Sequence, residues 1–220
     1  MGGVRENQNM KGKQNMKDKK TYMIELYELY RPIKSGDIVL DIGACVGDVT
    51  VFAANRVGDS GHVYAFEPHP DNFDRLLTQA GHLKNVTCLP CAMASPSGPI
   101  DFWPHQHRID GHSLFKHDLH LSTPIRVMCI SMQDFLTKYA VIPTFVKIDA
   151  EGSELHILKE LMLTPHRPYI TLEVHPQFIG PIYDDCRQVL ETNGYAWVDP
   201  LGYQKNKQAV HHAIHKSKIE

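Results

Sequence analysis

The chain has 220 residues, 42% hydrophobic and 22% charged, the composition of an ordinary globular protein with one sizeable core. Its formal net charge of −2 gives no overall positive field to draw it to nucleic acid or a membrane surface, and no stretch is apolar for long enough to span a bilayer. Five cysteines, an odd number in a chain too large to need disulfide stapling, point to a reducing, cytoplasmic setting.

Residues 1–20 hold Lys11, Lys13, Lys17, Lys19 and Lys20 among Asn, Gln and Gly, and read as a solvated, disordered tail ahead of a single domain over 21–220. The tail lacks the apolar run of a signal peptide, and Glu6 stands where a myristoylation signal needs Ser or Thr. Thr21 to Tyr30 has Tyr22, Leu26, Leu29 and Tyr30 at helical spacing, and Pro32 ends the run. After a turn at Lys34–Asp37, Ile38 to Ile42 is a short apolar run of the kind that forms a buried parallel strand. A glycine-containing turn leads to a helix over Asp48 to Val57, a strand His62 to Phe66, and a helix Asp71 to Gln79 with Phe73, Leu76 and Leu77 on one face.

Val86 to Leu89 reads as the third strand. Cys88-Leu-Pro-Cys91 has redox spacing, but it lies at a strand end, where residues three apart face opposite sides, and Pro90 does not favour the helix start that such chemistry needs. From 98 to 131 the rhythm breaks. Strands Ile100 to Trp103 and Ile125 to Ile130 flank a polar insertion holding His105, His107, His112, His117 and His120, whose spacings match no zinc pattern; a solvated lid without metal is expected. Alternation resumes with helix Met132 to Tyr139, strand Thr144 to Ile148, helix Glu151 to Met162 and strand Tyr169 to Val174. Helix Tyr183 to Asn193 and strands Tyr195 to Val198 and Ala209 to His215 complete the order. Such alternation predicts a mostly parallel, doubly wound, Rossmann-like α/β sheet with helices on both faces, binding its ligand beyond the carboxyl ends of the strands.

Asp41-Ile-Gly43-Ala-Cys-Val-Gly47 joins the first strand to the first helix, where glycines let the backbone turn and approach a ligand. Counted from Gly43, a dinucleotide fingerprint would place glycines at Cys45 and Asp48, so it fails twice, and Asp48 would repel a pyrophosphate. S-adenosylmethionine has no phosphate and carries an ammonium and a sulfonium, so an acid at Asp41 is useful there. Glu67 ends the second strand, where a carboxylate can accept from both ribose hydroxyls, and Phe66 and Pro68 can flank an adenine. Turn capping is the plainer account of the two acids.

Three segments then resemble a known family. Gly36-Asp-Ile-Val-Leu-Asp41-Ile-Gly43-Ala, Ala65-Phe-Glu67-Pro-His-Pro70 and Phe145-Val-Lys147-Ile-Asp149-Ala-Glu151-Gly-Ser-Glu154 are similar to the FkbM methyltransferases, and Leu172-Glu173-Val-His175 and Ser113 also fit. The resemblance runs from about Gly36 to His175. It implies a class I methyltransferase fold that uses S-adenosylmethionine, usually to methylate a hydroxyl of a small molecule or sugar. By the same resemblance Asp41, Gly43, Gly47 and Glu67 bind the cofactor, and Ala92 presents its backbone near the adenine. Cys45 departs from the family, which commonly has Asn there.

Methyl transfer needs the acceptor oxygen aligned and its proton removed. Period two puts Lys147 and Asp149 on one face of their strand and Glu173 and His175 on one face of theirs. A lysine in an apolar strand must be paired, so Lys147 is expected to meet Glu173 or Asp149; a purely structural ion pair is the competing account. Asp149 and His175 end their strands and should face the cleft, Asp149 within reach of cofactor as well as acceptor, with His175 the better general base near neutral pH. Glu151 and Glu154 open a helix and suit its dipole. Other readings are a cofactor-binding module without catalysis, an NAD-dependent oxidoreductase, and an RNA methyltransferase supported only by the Lys-rich tail.

Overall fold

The computed structural model describes residues 31–116, 118–121, 123–175, 182–198 and 209–218. The expected tail 1–20 and helix 21–30 lie outside them, as does His117. In chain order the elements are β1 (Ile38–Ile42), α1 (Asp48–Val57), β2 (His62–Phe66), α2 (Pro70–Ala80), β3 (Val86–Leu89), β4 (Cys91–Met93), β5 (Gly98–Phe102) and β6 (Ile125–Ile130). There follow α3 (Met132–Tyr139), β7 (Phe145–Ile148), α4 (Glu154–Leu163), β8 (Tyr169–Val174), α5 (Ile182–Thr192), β9 (Tyr195–Val198) and β10 (Ala209–His215).

Seven strands form one sheet in the order β3-β2-β1-β7-β8-β10-β9. The five from β3 to β8 pair in parallel, while β10 runs antiparallel to both β8 and β9. The order reverses between β1 and β7, and that is the switch point where such sheets bind ligands.

Alternate side chains divide the core into two layers. Leu40, Ile42, Val146, Ile148, Ile170 and Leu172 pack under Phe135 and Leu136 of α3, Ile157, Leu158 and Leu161 of α4, and Leu190 of α5. Val39, Val63, Phe145 and Tyr169 face Ala53, Ala54 and Val57 of α1 instead. Each such fully buried large side chain contributes about 1.5–3 kcal/mol. The doubly wound sheet with helices on both faces is therefore as the sequence predicts.

Four local differences have physical causes. Helix α4 starts at Glu154 rather than Glu151, because Glu151 (φ 46°) and Gly152 (φ 103°) are left-handed and cannot belong to it. On α2 Leu77 is exposed and Asn72 takes the buried place beside Leu76 and Ala80. Cys91 begins an unexpected short strand: Pro90 turns the chain out of the main sheet into a second one, ordered β4-β6-β5. Cys88 and Cys91 thus belong to different sheets, and both are free thiols. The His-rich insertion is solvated along its outer side, as at His107 and Leu119, but is anchored underneath, with Ser113 and His120 buried and bridges joining Trp103 to Ser113 and His105 to His120.

Candidate active site

The cleft lies over the switch point, about 600 Å³ including its mouth, and Gly43 forms its floor. A Cβ there would stand 1.8 Å from the carbonyl oxygen of Asp149, and φ is +77°, so only glycine fits. The amides of Gly43 and Ala44 both donate to the carbonyl of Phe66, at 3.1 and 2.9 Å. Glu67 then ties two loops together: Oε2 accepts from the Cys45 amide and Oε1 from the His69 amide, each at 2.8 Å. Burial raises its pKa to about 7 against the lowering effect of those two amides. Each carboxylate oxygen keeps a second lone pair for a ligand. Pro68, Asn72 and Ala92 line the same end of the cleft.

Asp41, Gly47 and Lys147 are placed differently from Glu67. Asp41 is fully buried within β1 on the α1 side of the sheet, opposite Lys147 in register, and does not line the cleft. Its Oδ2 accepts from Thr50 Oγ1 at 2.6 Å and its Oδ1 lies 3.1 Å from Lys147 Nζ. Lys147 Nζ also donates to the Gly43 carbonyl at 2.6 Å and approaches Asp149 Oδ2 at 3.5 Å. Burial alone would favour a neutral amine, but Asp41 and Asp149 outweigh it and hold the lysine charged. The expected pairing with Asp149 is present; Asp41 is the shorter contact, and Glu173 adds charge that favours the cation. Gly47 (φ 97°) caps α1 and faces Leu76 of α2, where a Cβ would come within 2.8 Å of Leu76 Cδ1, rather than facing the cleft.

At the other end β7, β8 and the start of α4 bring Asp149, Glu151, Glu154 and His175 together. His175 is fully buried. Its Nδ1 lies 2.8 Å from Glu154 Oε1, while Nε2 lies 3.4 Å from Glu151 Oε2 and 3.7 Å from Asp149 Oδ1. Glu154, also fully buried, accepts from the Gly152 amide at 3.0 Å. Burial of the ring favours the neutral imidazole, yet the hydrogen bond to Glu154 and the charges of Glu154, Asp149 and Glu151 prevail and carry its pKa to about 10. Burial raises Glu151 to about 8, with Asp149, Glu154 and Glu173 adding to the rise and His175 opposing it. Asp149 and Glu151 line the cleft; Glu173, buried two residues before His175, does not.

The insertion closes the cleft from above. Ser113 Oγ donates to the Glu151 carbonyl at 2.6 Å, and Asn72 Nδ2 donates to the Ile109 carbonyl at 2.6 Å, fixing the lid to both ends. His112 stacks on His69 with ring centroids 4.1 Å apart, and its pKa falls to about 4 through burial and the nearby His69 and His105. Nothing in the local pattern marks Asn72 as part of the site. Glu154 was visible only as a helix-start acid. Among the described residues, no Lys or Arg lines the cleft, whereas Glu67, Asp110, Asp149 and Glu151 do.

The profile of the Methyltransferase FkbM domain matches residues 41–196. The chain belongs to the FkbM methyltransferase family. It is 29% identical over 133 residues to the hexuronic acid methyltransferase AglP of Haloferax volcanii, an alignment covering 60% of this chain and 52% of that protein. The chain thus spans about half the length of this curated relative. The fibrillarin of Aeropyrum pernix with natively bound S-adenosyl-L-methionine superposes with a TM-score of 0.54 at 16% identity, over 89% of this chain and 74% of that one. A precorrin-6y C5,15-methyltransferase from Geobacter metallireducens gives 0.54 at 14% identity, over 95% and 92%. The fold is that of the class I methyltransferases. S-adenosylmethionine is the cofactor that goes with this family, and the described residues fit it: the acids Glu67, Asp110, Asp149 and Glu151 along the cleft suit a cationic sulfonium.

Proposed function

We propose that the chain is an S-adenosylmethionine-dependent O-methyltransferase whose acceptor is a hydroxyl of a sugar or similar small molecule. The observation that carries this reading is the division of one cleft into a Glu67 end, with free lone pairs beside close-packed backbone, and an acidic end at Asp149 and Glu151. Glu67 accepts from the ribose hydroxyls, Pro68 and Ala92 flank the adenine, and Gly43 lets the backbone pass close to the ligand. Asp149 faces the methionine ammonium. Asp41 and Gly47 act from behind, Asp41 by holding Lys147 on the Gly43 carbonyl and Gly47 by seating α1. Lys147 and Glu173 are likewise positioning groups rather than catalytic ones.

Bound cofactor supplies a methyl group already activated by the sulfonium. The chain has to align the acceptor oxygen and accept its proton, and alignment alone lowers a barrier by several kcal/mol. Asp149 and Glu151, open to the cleft, receive the acceptor's hydroxyl hydrogen bond. His175 was expected to be the base; with Nδ1 committed to Glu154 and Nε2 turned to two carboxylates, it instead fixes those carboxylates. A hexuronic acid, the substrate class in the name of the Haloferax relative, is the first acceptor to try.

The test is calorimetric titration with S-adenosylmethionine and NAD, followed by mass spectrometry of uronic acids and neutral sugars incubated with the cofactor. The expected outcome is binding of S-adenosylmethionine alone, weakened at least about tenfold in Glu67→Ala through loss of charge-assisted hydrogen bonds, and a sugar product heavier by one methyl. Cofactor binding without turnover on any acceptor would favour the non-catalytic module. Preferential methylation of RNA would replace the acceptor class; among the described residues no Lys or Arg lines the cleft to neutralise a phosphate.

A further inference from the structure

We infer that Asp149, Glu151 and His175 form a binding site for a divalent metal ion of the zinc–manganese class, with its open coordination position toward the cleft. One ligand atom from each residue lies within 4.8 Å of the others. The spacings from His175 Nε2, 3.4 Å to Glu151 Oε2 and 3.7 Å to Asp149 Oδ1, are informative. Two ligands on bonds of about 2.0–2.2 Å at the tetrahedral angle stand roughly 3.3–3.6 Å apart. The His175–Glu151 spacing falls in that range and the His175–Asp149 spacing lies just above it. Three protein ligands with a fourth position open is also the usual composition of a catalytic rather than a structural site.

An independent observation comes from behind the imidazole. The Nδ1 of His175 is hydrogen-bonded to Glu154 Oε1 at 2.8 Å, and Glu154 is itself fully buried and oriented by the Gly152 amide. A carboxylate on the far nitrogen of a metal-binding histidine fixes the tautomer and turns the other nitrogen's lone pair to the ion. Here that nitrogen points at two carboxylates; in the metal-free chain its own proton answers them, and a metal ion would take that proton's place. Among the described residues the same region gathers Asp41, Asp149, Glu151, Glu154 and Glu173 around Lys147 and His175, more acids than bases. The side chains of Asp149 and Glu151 are 25% and 16% exposed, so an ion can enter from the cleft.

Among the described residues the His-rich lid forms no comparable cluster. His112 Nδ1 accepts from the His105 amide at 2.8 Å, His105 Nδ1 from the His107 amide at 3.1 Å, and His120 Nε2 meets the Gly111 carbonyl at 2.9 Å. Those rings hold the lid together. The placing of the open position against an acceptor oxygen rests on the methyltransferase reading; the metal site does not.

The test uses the full chain without a histidine tag, stripped with chelator and titrated with Co²⁺. One equivalent is expected to give the intense visible absorption of low-coordinate cobalt and to be displaced by Zn²⁺. Glu151→Gln and Asp149→Asn should each weaken the site about 10–100-fold, and Glu154→Gln about tenfold through the imidazole it orients. His105→Asn should leave the titration unchanged. A folded chain whose cobalt spectrum stays that of the hydrated ion overturns the inference. So does absorption that survives Glu151→Gln and disappears in His105→Asn. Titrating the same sample with S-adenosylmethionine separates the two ideas: cofactor bound without cobalt defeats the metal site alone, and cobalt bound without cofactor defeats the methyltransferase reading alone.

Discussion

Beside β1 and β2 the cleft is made of backbone: four amides converge on the Phe66 carbonyl and the Glu67 carboxylate, and a glycine stands where no side chain fits. Beside β7 and β8 it is made of side-chain charge, with Asp149, Glu151, Glu154 and His175 packed against one another. Backbone construction depends on local sequence and tolerates little change. Charged construction depends on strand order and can be rearranged by altering one partner. Lys147 belongs to both, since it donates to the Gly43 carbonyl and approaches Asp149.

The largest effect should come from Gly43→Ala, which attacks the join itself. With the new Cβ 1.8 Å from the Asp149 oxygen and φ at +77°, both ends must move. A loss of about 3 kcal/mol or more is expected. Denaturant unfolding followed by circular dichroism measures it, and a change below about 1 kcal/mol would show that the two ends are not in contact as described.

Lys147→Met comes next. It leaves Asp41 buried without its cation, which should cost about 3–5 kcal/mol. Adding Asp41→Asn should return part of that loss, because the second change removes the stranded charge. Strict additivity of the two changes would break the link between the halves.

The smallest effect sharpens the contrast, since it belongs to the backbone-built end alone. Burial raises Glu67 from 4.5 to about 7, with Cys45, His69, Asp41 and Lys147 around it. The unfolded chain ionises first as pH rises, so the free protein loses stability through this group between the two values. Cofactor needs the ionised carboxylate as acceptor, so its affinity should increase as pH rises through about 7. Calorimetry across that range in buffers of different ionisation enthalpy should show proton release on binding. Affinity that falls with pH, in a chain still folded, would remove Glu67 from the ribose.

The fold was legible because its signals are local. Ile38–Ile42, Asp48–Val57 and His62–Phe66 each show their own period, and their alternation implies the sheet. The backbone-built end was legible for the same reason, since Gly43 and Glu67 sit in the turns that join those elements. The charged end was legible only in part: the pairing of Lys147 with Asp149 and the place of Asp149 on the cleft were expected, the contact with Asp41 was not. That Asp41 faces Lys147 follows from β1 lying beside β7, and the two residues are 106 apart in the chain, beyond what any local period reports. Glu151 looked like the start of a helix because acids favour that position; the left-handed backbone at Glu151 and Gly152 delays α4 and points the carboxylate end of the turn at the cleft instead. Cys45 is left-handed too (φ 50°), a conformation Asn tolerates better than most residues.

Strand β10 has a consequence for how the molecule is made. It is later in the chain than β9, yet it is inserted between β9 and β8. Until residues 209–215 leave the ribosome, the edge of β8 has no partner, and the row from Ile170 to Val174 is an open template for any other extended chain. The nascent protein therefore passes through a stage with the whole cofactor half synthesised and one sticky border exposed. Synthesis pausing after β9 prolongs that stage, and with it the interval in which a chaperone has something to bind.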